Sequence, residues 1–321
     1  MSEHGFRRVA VLGAGTMGHA LALVHALGGL GVRLQDSSPA ALARAPGLIE
    51  AAIATLVEAG EIHAASARAA KARIAFTADA GETVADSDLV VEAVLEDLEV
   101  KRGVFTAIDA HAPVDAIIAS NTSHLDVFPL IPARRAAASA IAHWYTPPYI
   151  VDLVDLCAGP GTAAPTIARL KALYAGLGKR PVVMKKFIPG YVANRIQAAI
   201  SLEVFRLLDE GYADPQDVDD AMRHGLALRI PVLGHLMKAD FTGLELTQRL
   251  LAYRTYEPPP VRGCSETLDA LVAAGRTGVL AGAGYFDYGG RPAEELFRER
   301  DRRLLALKRH LREGGELGGK A

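Results

Sequence analysis

Cysteine is scarce in this chain. Only Cys157 and Cys264 occur in 321 residues, far apart and without metal-ligand spacing. That excludes a disulfide framework and a cysteine-built metal centre, so no metal is expected, and two reduced thiols in a cytoplasmic protein are. Aromatic residues make up only 6 %. Alanine and leucine must carry the core, which favours helices. Neither sign of charge dominates, with 35 Lys plus Arg against 37 Asp plus Glu. Without a basic excess, neither nucleic acid nor an anionic membrane is an expected partner. No secretory apolar segment is seen at the N-terminus, and no apolar run of about 18 residues is expected to span a bilayer. Internal repeats and long low-complexity segments are missing too.

What is present begins at Arg8. The apolar run Val9-Ala10-Val11-Leu12 leads into Gly13-Ala14-Gly15-Thr16-Met17-Gly18, a strand running into Gly-x-Gly-x-x-Gly with a helical pattern from Thr16. Gly13 permits a tight turn, Gly15 lets a pyrophosphate approach the backbone, and Gly18 lets helix and strand pack closely. The helix N-terminus, with Thr16 and Met17, then offers unpaired N–H groups to phosphates. A second apolar run, Gly31 to Gln35, ends at Asp36. An acid there accepts from a ribose 2′-hydroxyl and repels a 2′-phosphate. NAD is therefore the expected cofactor, in preference to NADP.

Strand-like runs alternate with helical stretches from Arg8 to about Lys186. The strands expected are Val9–Leu12, Val32–Gln35, Leu89–Val91, Ala116–Ala119, Ala140–His143, Leu153–Leu156 and Pro181–Met184. This alternation predicts a parallel, doubly wound sheet. Beyond Pro189 strand signals nearly vanish, and Tyr191–Glu210, Pro215–His224, Gly243–Tyr253 and Ala293–Leu311 read as helices. The expected fold is α/β: an N-terminal Rossmann-type doubly wound sheet, residues 1–187, followed by an all-α C-terminal domain, residues 188–321.

Three further clusters carry chemistry. Ser120-Asn121-Thr122-Ser123 ends a strand, where ligands bind in parallel sheets, although an ordinary Ser/Thr turn has the same residues. His143 ends one strand and Asp155 lies in the next, so imidazole and carboxylate can meet. Such a pair holds the ring tautomer and favours its protonated form, as general acid–base chemistry needs; a structural histidine remains open. Gly190-Tyr191-Val192-Ala193-Asn194-Arg195 opens the first helix of the second domain and offers an amide.

Taken in order, these pieces resemble the 3-hydroxyacyl-CoA dehydrogenase family from end to end. Gly13–Gly18, Val90–Glu96 with Lys101, Ser120–Ser123, His143 with Pro147, Asp155 and Gly190–Arg195 carry the resemblance. It implies an NAD-dependent enzyme that interconverts 3-hydroxy and 3-oxo acyl groups. It implies His143 as general base, Asp155 as its partner, and Ser123 and Asn194 on the substrate. Glu96, Lys101 and Asn121 are implied at the cofactor site, and a homodimer is implied as well. Two positions depart: Thr146-Pro147 replaces the family's Asn-Pro, and Asp155 replaces its glutamate, one methylene longer. Leu56–Gly60, Pro147-Pro148-Tyr149, Thr162–Thr166 and Gly225–Arg229 resemble the branch with lambda-crystallin/L-gulonate 3-dehydrogenase and L-carnitine dehydrogenase. Members of that branch act on free carboxylates, and Arg229 can clamp one, or be a surface arginine. A free 3-hydroxy acid is the expected substrate. A fatty-acid-type L-3-hydroxyacyl-CoA dehydrogenase, or a catalytically weakened NAD-binding or structural protein, are the alternatives.

Overall fold

The computed structural model describes residues 5–253 and 256–315. The chain divides into two compact units, Met1–Val192 and Ala193–Ala321. The first holds an eight-stranded sheet: β1 (Arg8–Leu12), β2 (Gly31–Gln35), β3 (Ile74–Thr77), β4 (Leu89–Glu92), β5 (Ile117–Ser120), β6 (Ser139–Trp144), β7 (Leu153–Ala158) and β8 (Arg180–Met184). Its spatial order is β3-β2-β1-β4-β5-β6-β7-β8. The helices are α1 (Gly18–Leu27), α2 (Pro39–Glu58), α3 (Ala64–Ala72), α4 (Ala80–Val84), α5 (Leu98–His111) and α6 (Ala164–Gly176). β1 lies between β2 and β4, so the strand order reverses there, and the crevice at its carboxyl end is where such sheets take ligands.

The expected parallel sheet needs one correction. β6 and β7 pair antiparallel. Only residues 145–152 join them, and a parallel crossover needs a dozen or more. β3 escapes the sequence reading because it is a short strand at the sheet edge with two of its four side chains exposed. α1 starts at Gly18 rather than Thr16 because the glycine turn uses up the preceding residues.

Local chemistry starts the helices. Ser38 accepts the Ala41 N–H with Pro39 next to it at the start of α2, and Asp97 accepts the Glu99 and Val100 N–H groups at the start of α5. Each satisfies donors that a helix end leaves unpaired. Phe105 and Ile108 of α5 pack with Ala10, Leu12, Val90, Ile118 and Ile141 of the sheet to form the core. Tyr191 joins this same cluster. That anchor carries the first unit to Val192, beyond the division after Phe187 expected where the strand signals end.

Against the expectation, one helix, α2, is long and apolar enough to cross a membrane by length and composition. Its Ala41, Ala45, Ile49, Ala52 and Leu56 are buried in the unit, and Glu50 pairs with Lys71 of α3. The physical account of its apolar character is a core-facing stripe.

The second unit contains α7 (Ala193–Asp209), α8 (Pro215–Asp220), a π-helical segment at Ala221–Ala227, α9 (Ile230–Thr242), α10 (Leu244–Tyr253), α11 (Glu266–Ala273) and α12 (Ala293–Gly314). α7 cannot begin at Tyr191, whose φ of 51° is left-handed. α9 and α11 were not foreseen; α9 is broken at Gly234, whose φ of 67° lies outside the helical region. Ser265 caps α11 by accepting from Leu268.

Candidate active site

A cavity of about 850 Å³ opens at the carboxyl ends of the central strands, lined by Gly13, Gly15, Asp36, Glu96, Asn121 and Ser123 among others. The glycine turn fits a dinucleotide. A Cβ on Gly13 would come within 2.4 Å of the Ala93 carbonyl oxygen, and one on Gly18 within 1.6 Å of the Gly13 oxygen. Both positions need glycine for backbone packing. A Cβ on Gly15 would meet no protein atom within 4 Å, so its bare backbone faces room for a ligand, beside Thr16 and Met17. Asp36 closes β2 at the same edge. Its Oδ2 accepts the Ala14 N–H at 2.7 Å and its Oδ1 accepts the Ser38 N–H at 2.8 Å. Each oxygen retains a lone pair for a ribose hydroxyl.

A second group sits where β5 and β6 end. Ser123 Oγ lies 3.2 Å from His143 Nε2. His143 and Asp155 face each other in the β6–β7 ladder, and Asp155 Oδ2 is 3.6 Å from His143 Nδ1. That is ion-pair range but too long for a hydrogen bond. The carboxylate is instead held by Tyr145, whose hydroxyl donates to Oδ2 at 2.6 Å. The imidazole is stacked on Tyr191 with ring centroids 4.6 Å apart, and Tyr191 donates to the Thr122 carbonyl at 2.6 Å. Asn121 Oδ1 accepts the Trp144 N–H at 2.8 Å and ties β5 to β6. Thr146 Oγ1 donates to Met17 Sδ at 3.0 Å, linking this edge to the glycine turn.

Glu96 builds the loop that carries Ser123. One oxygen accepts the Ser123 and His124 N–H groups and the Thr122 hydroxyl, all at 2.8 Å. Burial opposes its ionisation. The His124 N–H, the Thr122 hydroxyl, the Lys101 ammonium and the Ser123 N–H outweigh that and bring its pKa down to about 2. Lys101 does not line the cofactor cavity as expected. Its side chain is 1 % exposed, with Nζ 2.7 Å from Glu92 and 3.2 Å from Glu96. Glu92, fully buried, also accepts from Ser120 and the Val94 N–H. Lys101 thus pairs the buried Glu92 carboxylate beneath the site, which would be costly to bury without an opposite charge, and reaches up to the more exposed Glu96.

Sequence reasoning missed Glu92, Tyr145 and Tyr191 as parts of the site. Tyr145 had a signal: it stands two residues after His143 and so shares its face of the extended chain. Tyr191 had none, because its place depends on a backbone turn.

The chain matches the model of the 3-hydroxyacyl-CoA dehydrogenase NAD-binding domain over residues 8–187 and that of the C-terminal domain over residues 190–288. It belongs to the 3-hydroxyacyl-CoA dehydrogenase family. It is 33 % identical over 315 residues to the 5-formyl-3-hydroxy-2-methylpyridine 4-carboxylate 5-dehydrogenase of Mesorhizobium japonicum, covering 97 % of this chain and 99 % of that protein. It is 32 % identical over 311 residues to the L-carnitine dehydrogenase of Nocardiopsis dassonvillei, covering 96 % and 92 %. A crystal structure of a 5-formyl-3-hydroxy-2-methylpyridine 4-carboxylic acid 5-dehydrogenase, an NAD+-dependent dismutase, superposes with a TM-score of 0.86 at 31 % identity, over 97 % of this chain and 100 % of that one.

The chain is accordingly an NAD-dependent dehydrogenase, and the glycine turn lies in its NAD-binding domain. Among the positions expected for this family, the first unit brings together Ser123, His143 and Asp155. Asn194 and Arg229 belong to the second unit, Asn194 in the first turn of α7 and Arg229 just before α9. Arg229 is exposed, and its Nε donates to the Gly225 carbonyl at 3.2 Å.

Proposed function

We propose that this dehydrogenase oxidises a small free 3-hydroxy acid to the 3-oxo acid, with His143 as general base. The observation that carries the reading is the Ser123–His143–Asp155 line at the edge of the dinucleotide cavity. A substrate hydroxyl placed against Ser123 Oγ meets His143 Nε2, the nitrogen on the side away from Asp155. His143 takes the hydroxyl proton as the carbonyl forms, and the Asp155 charge stabilises the imidazolium that results. In the reverse direction His143 returns that proton. NAD, held by the Gly13–Gly18 turn and Asp36, supplies the hydride acceptor. Asn194 is assigned to orient the substrate oxygen, and Arg229 to bind the carboxylate.

Two relatives support a free acid over a thioester: one is named for a 4-carboxylate and the other for L-carnitine, and neither name carries coenzyme A. The Mesorhizobium relative is named for a formyl group as well, so aldehydes belong among the substrates tested. Cys157 is not available as a nucleophile for such a reaction, because burial first, then the charges of Asp126 and Asp155, push its thiol up to about 11.

The test is NAD reduction over matched free 3-hydroxy acids, carboxylate-bearing aldehydes and 3-hydroxyacyl-CoA thioesters, repeated with Arg229→Met. The expected result is turnover of a free acid, with KM raised steeply by Arg229→Met, since loss of one partner of such a pair costs about 2–5 kcal/mol. Turnover of thioesters alone overturns the free-acid reading and puts the acyl-CoA activity in its place.

A further inference from the structure

On the reading that His143 is the general base, the geometry points to Tyr145 as a positioning residue. We infer that its hydroxyl holds Asp155 against His143 and so replaces the reach that a longer carboxylate would have.

β6 and β7 set His143 opposite Asp155 in antiparallel register, so the two side chains leave the sheet on the same face. The short side chain stops 3.6 Å from Nδ1, outside hydrogen-bond range. An unattached carboxylate at that distance has no reason to keep its orientation. Tyr145 supplies one. Its O–H donates to Asp155 Oδ2 at 2.6 Å, the length of a charge-assisted bond. Asp155 is fully buried and its Oδ1 has no hydrogen-bond partner. Among the described residues, Tyr145 is the one donor this carboxylate has. Without it, a buried carboxylate would keep only an imidazole beyond hydrogen-bond reach, and nothing would fix its place.

Ring geometry assigns the second half of the task. Tyr145 stands edge-on to the imidazole, with centroids 4.7 Å apart and planes at 78°, while Tyr191 stacks at 29°. Tyr191 sets the plane of the base, and Tyr145 sets where the negative charge lies beside it. Tyr145 gives up no proton in this scheme. It keeps the Asp155 charge close to Nδ1, where it stabilises the imidazolium formed when Nε2 takes the substrate proton.

The test compares wild type, Tyr145→Phe, Asp155→Glu, the double variant and His143→Gln. Each is assayed for kcat and KM, with the His143 ring nitrogens followed by 15N NMR of histidine-labelled protein. Tyr145→Phe is expected to lower kcat about 10- to 100-fold, the value of one hydrogen bond to a charged group, and to leave KM for NAD unchanged. It is also expected to change the His143 nitrogen shifts from a single Nδ1-protonated form to a tautomer mixture. Adding Asp155→Glu to Tyr145→Phe should recover most of kcat and the single tautomer, because the longer carboxylate reaches Nδ1 in the space the hydroxyl leaves. A packing role alone would not be rescued by lengthening a neighbour. Wild-type kcat or unchanged nitrogen shifts in Tyr145→Phe overturn the proposal, as does a double variant no better than the single one. If His143→Gln retains full activity, the general-base reading falls instead, and this role of Tyr145 falls with it.

Discussion

Ser123 Oγ lies 3.2 Å from His143 Nε2, and this contact joins the loop after β5 to strand β6, twenty residues along the chain. Its geometry rests on Glu96, which holds the Ser123 loop through the Ser123 and His124 backbone N–H groups and the Thr122 hydroxyl. The nitrogen that faces the serine is thereby presented at the cavity edge, while the other faces a buried carboxylate.

His143→Gln is expected to lower kcat by about 10²–10⁴-fold, the usual range for loss of a general base, with NAD affinity unchanged. Asp155→Asn should cost less, because an amide can still orient the ring but cannot stabilise its charge. Steady-state kinetics with NAD titration checks both. An Asp155→Asn loss larger than that of His143→Gln would reverse their roles.

NAD should bind much more tightly than NADP. Asp36 faces the cavity and already accepts two backbone N–H groups, so it is fixed where a 2′-phosphate would meet its charge. Asp36→Ala should weaken NAD, because both the ribose contact and the anchor on Ala14 are lost, and should narrow the gap to NADP. Calorimetric titration of both nucleotides measures this. Equal affinities in the wild type would remove Asp36 from its assigned role.

His25 should make the first unit sensitive to mild acid. It is fully buried in α1, and burial lowers its pKa to about 4; the Leu21 carbonyl raises it in part and the Lys179 ammonium lowers it further. The folded state therefore resists a proton that the unfolded chain accepts below about pH 6.5. Stability from this residue is intact above that pH and is lost as pH falls toward 4. The loss approaches about 3 kcal/mol, at roughly 1.4 kcal/mol per pH unit. Tm measured from pH 7 to 4 should fall less steeply in His25→Leu than in wild type. Parallel curves would show that other groups set the acid limb.

A homodimer built by the second unit is our remaining expectation. Ile196 of α7 is 56 % exposed, and Leu244, Leu250 and Leu251 of α10 are all more than half exposed. Apolar faces of this kind on small helical sets pair about a two-fold axis. Sedimentation at micromolar concentration should show a dimer, and Leu251→Glu should shift it toward monomer. A monomer alone in the wild type rejects the assignment.

What the sequence by itself determined were the features with a local physical cause. The Gly13–Gly18 turn is written in steric terms, since Cβ atoms at its first and last glycines would strike backbone. Asp36 follows from the end of a buried strand, and seven of the eight strands follow from short apolar runs. Tertiary structure decided what depends on residues far apart in the chain. The antiparallel turn into β7 reverses β7 and, with it, β8. Lys101, a cofactor-site residue by motif, is drawn under the site because Glu92 and Glu96 converge on it from β4 and the loop that follows. Tyr145 reaches Asp155 only because β6 and β7 pair in one register. A motif records which groups are present; distance and burial, which set how strongly charges and hydrogen bonds act, exist only once the strands are side by side.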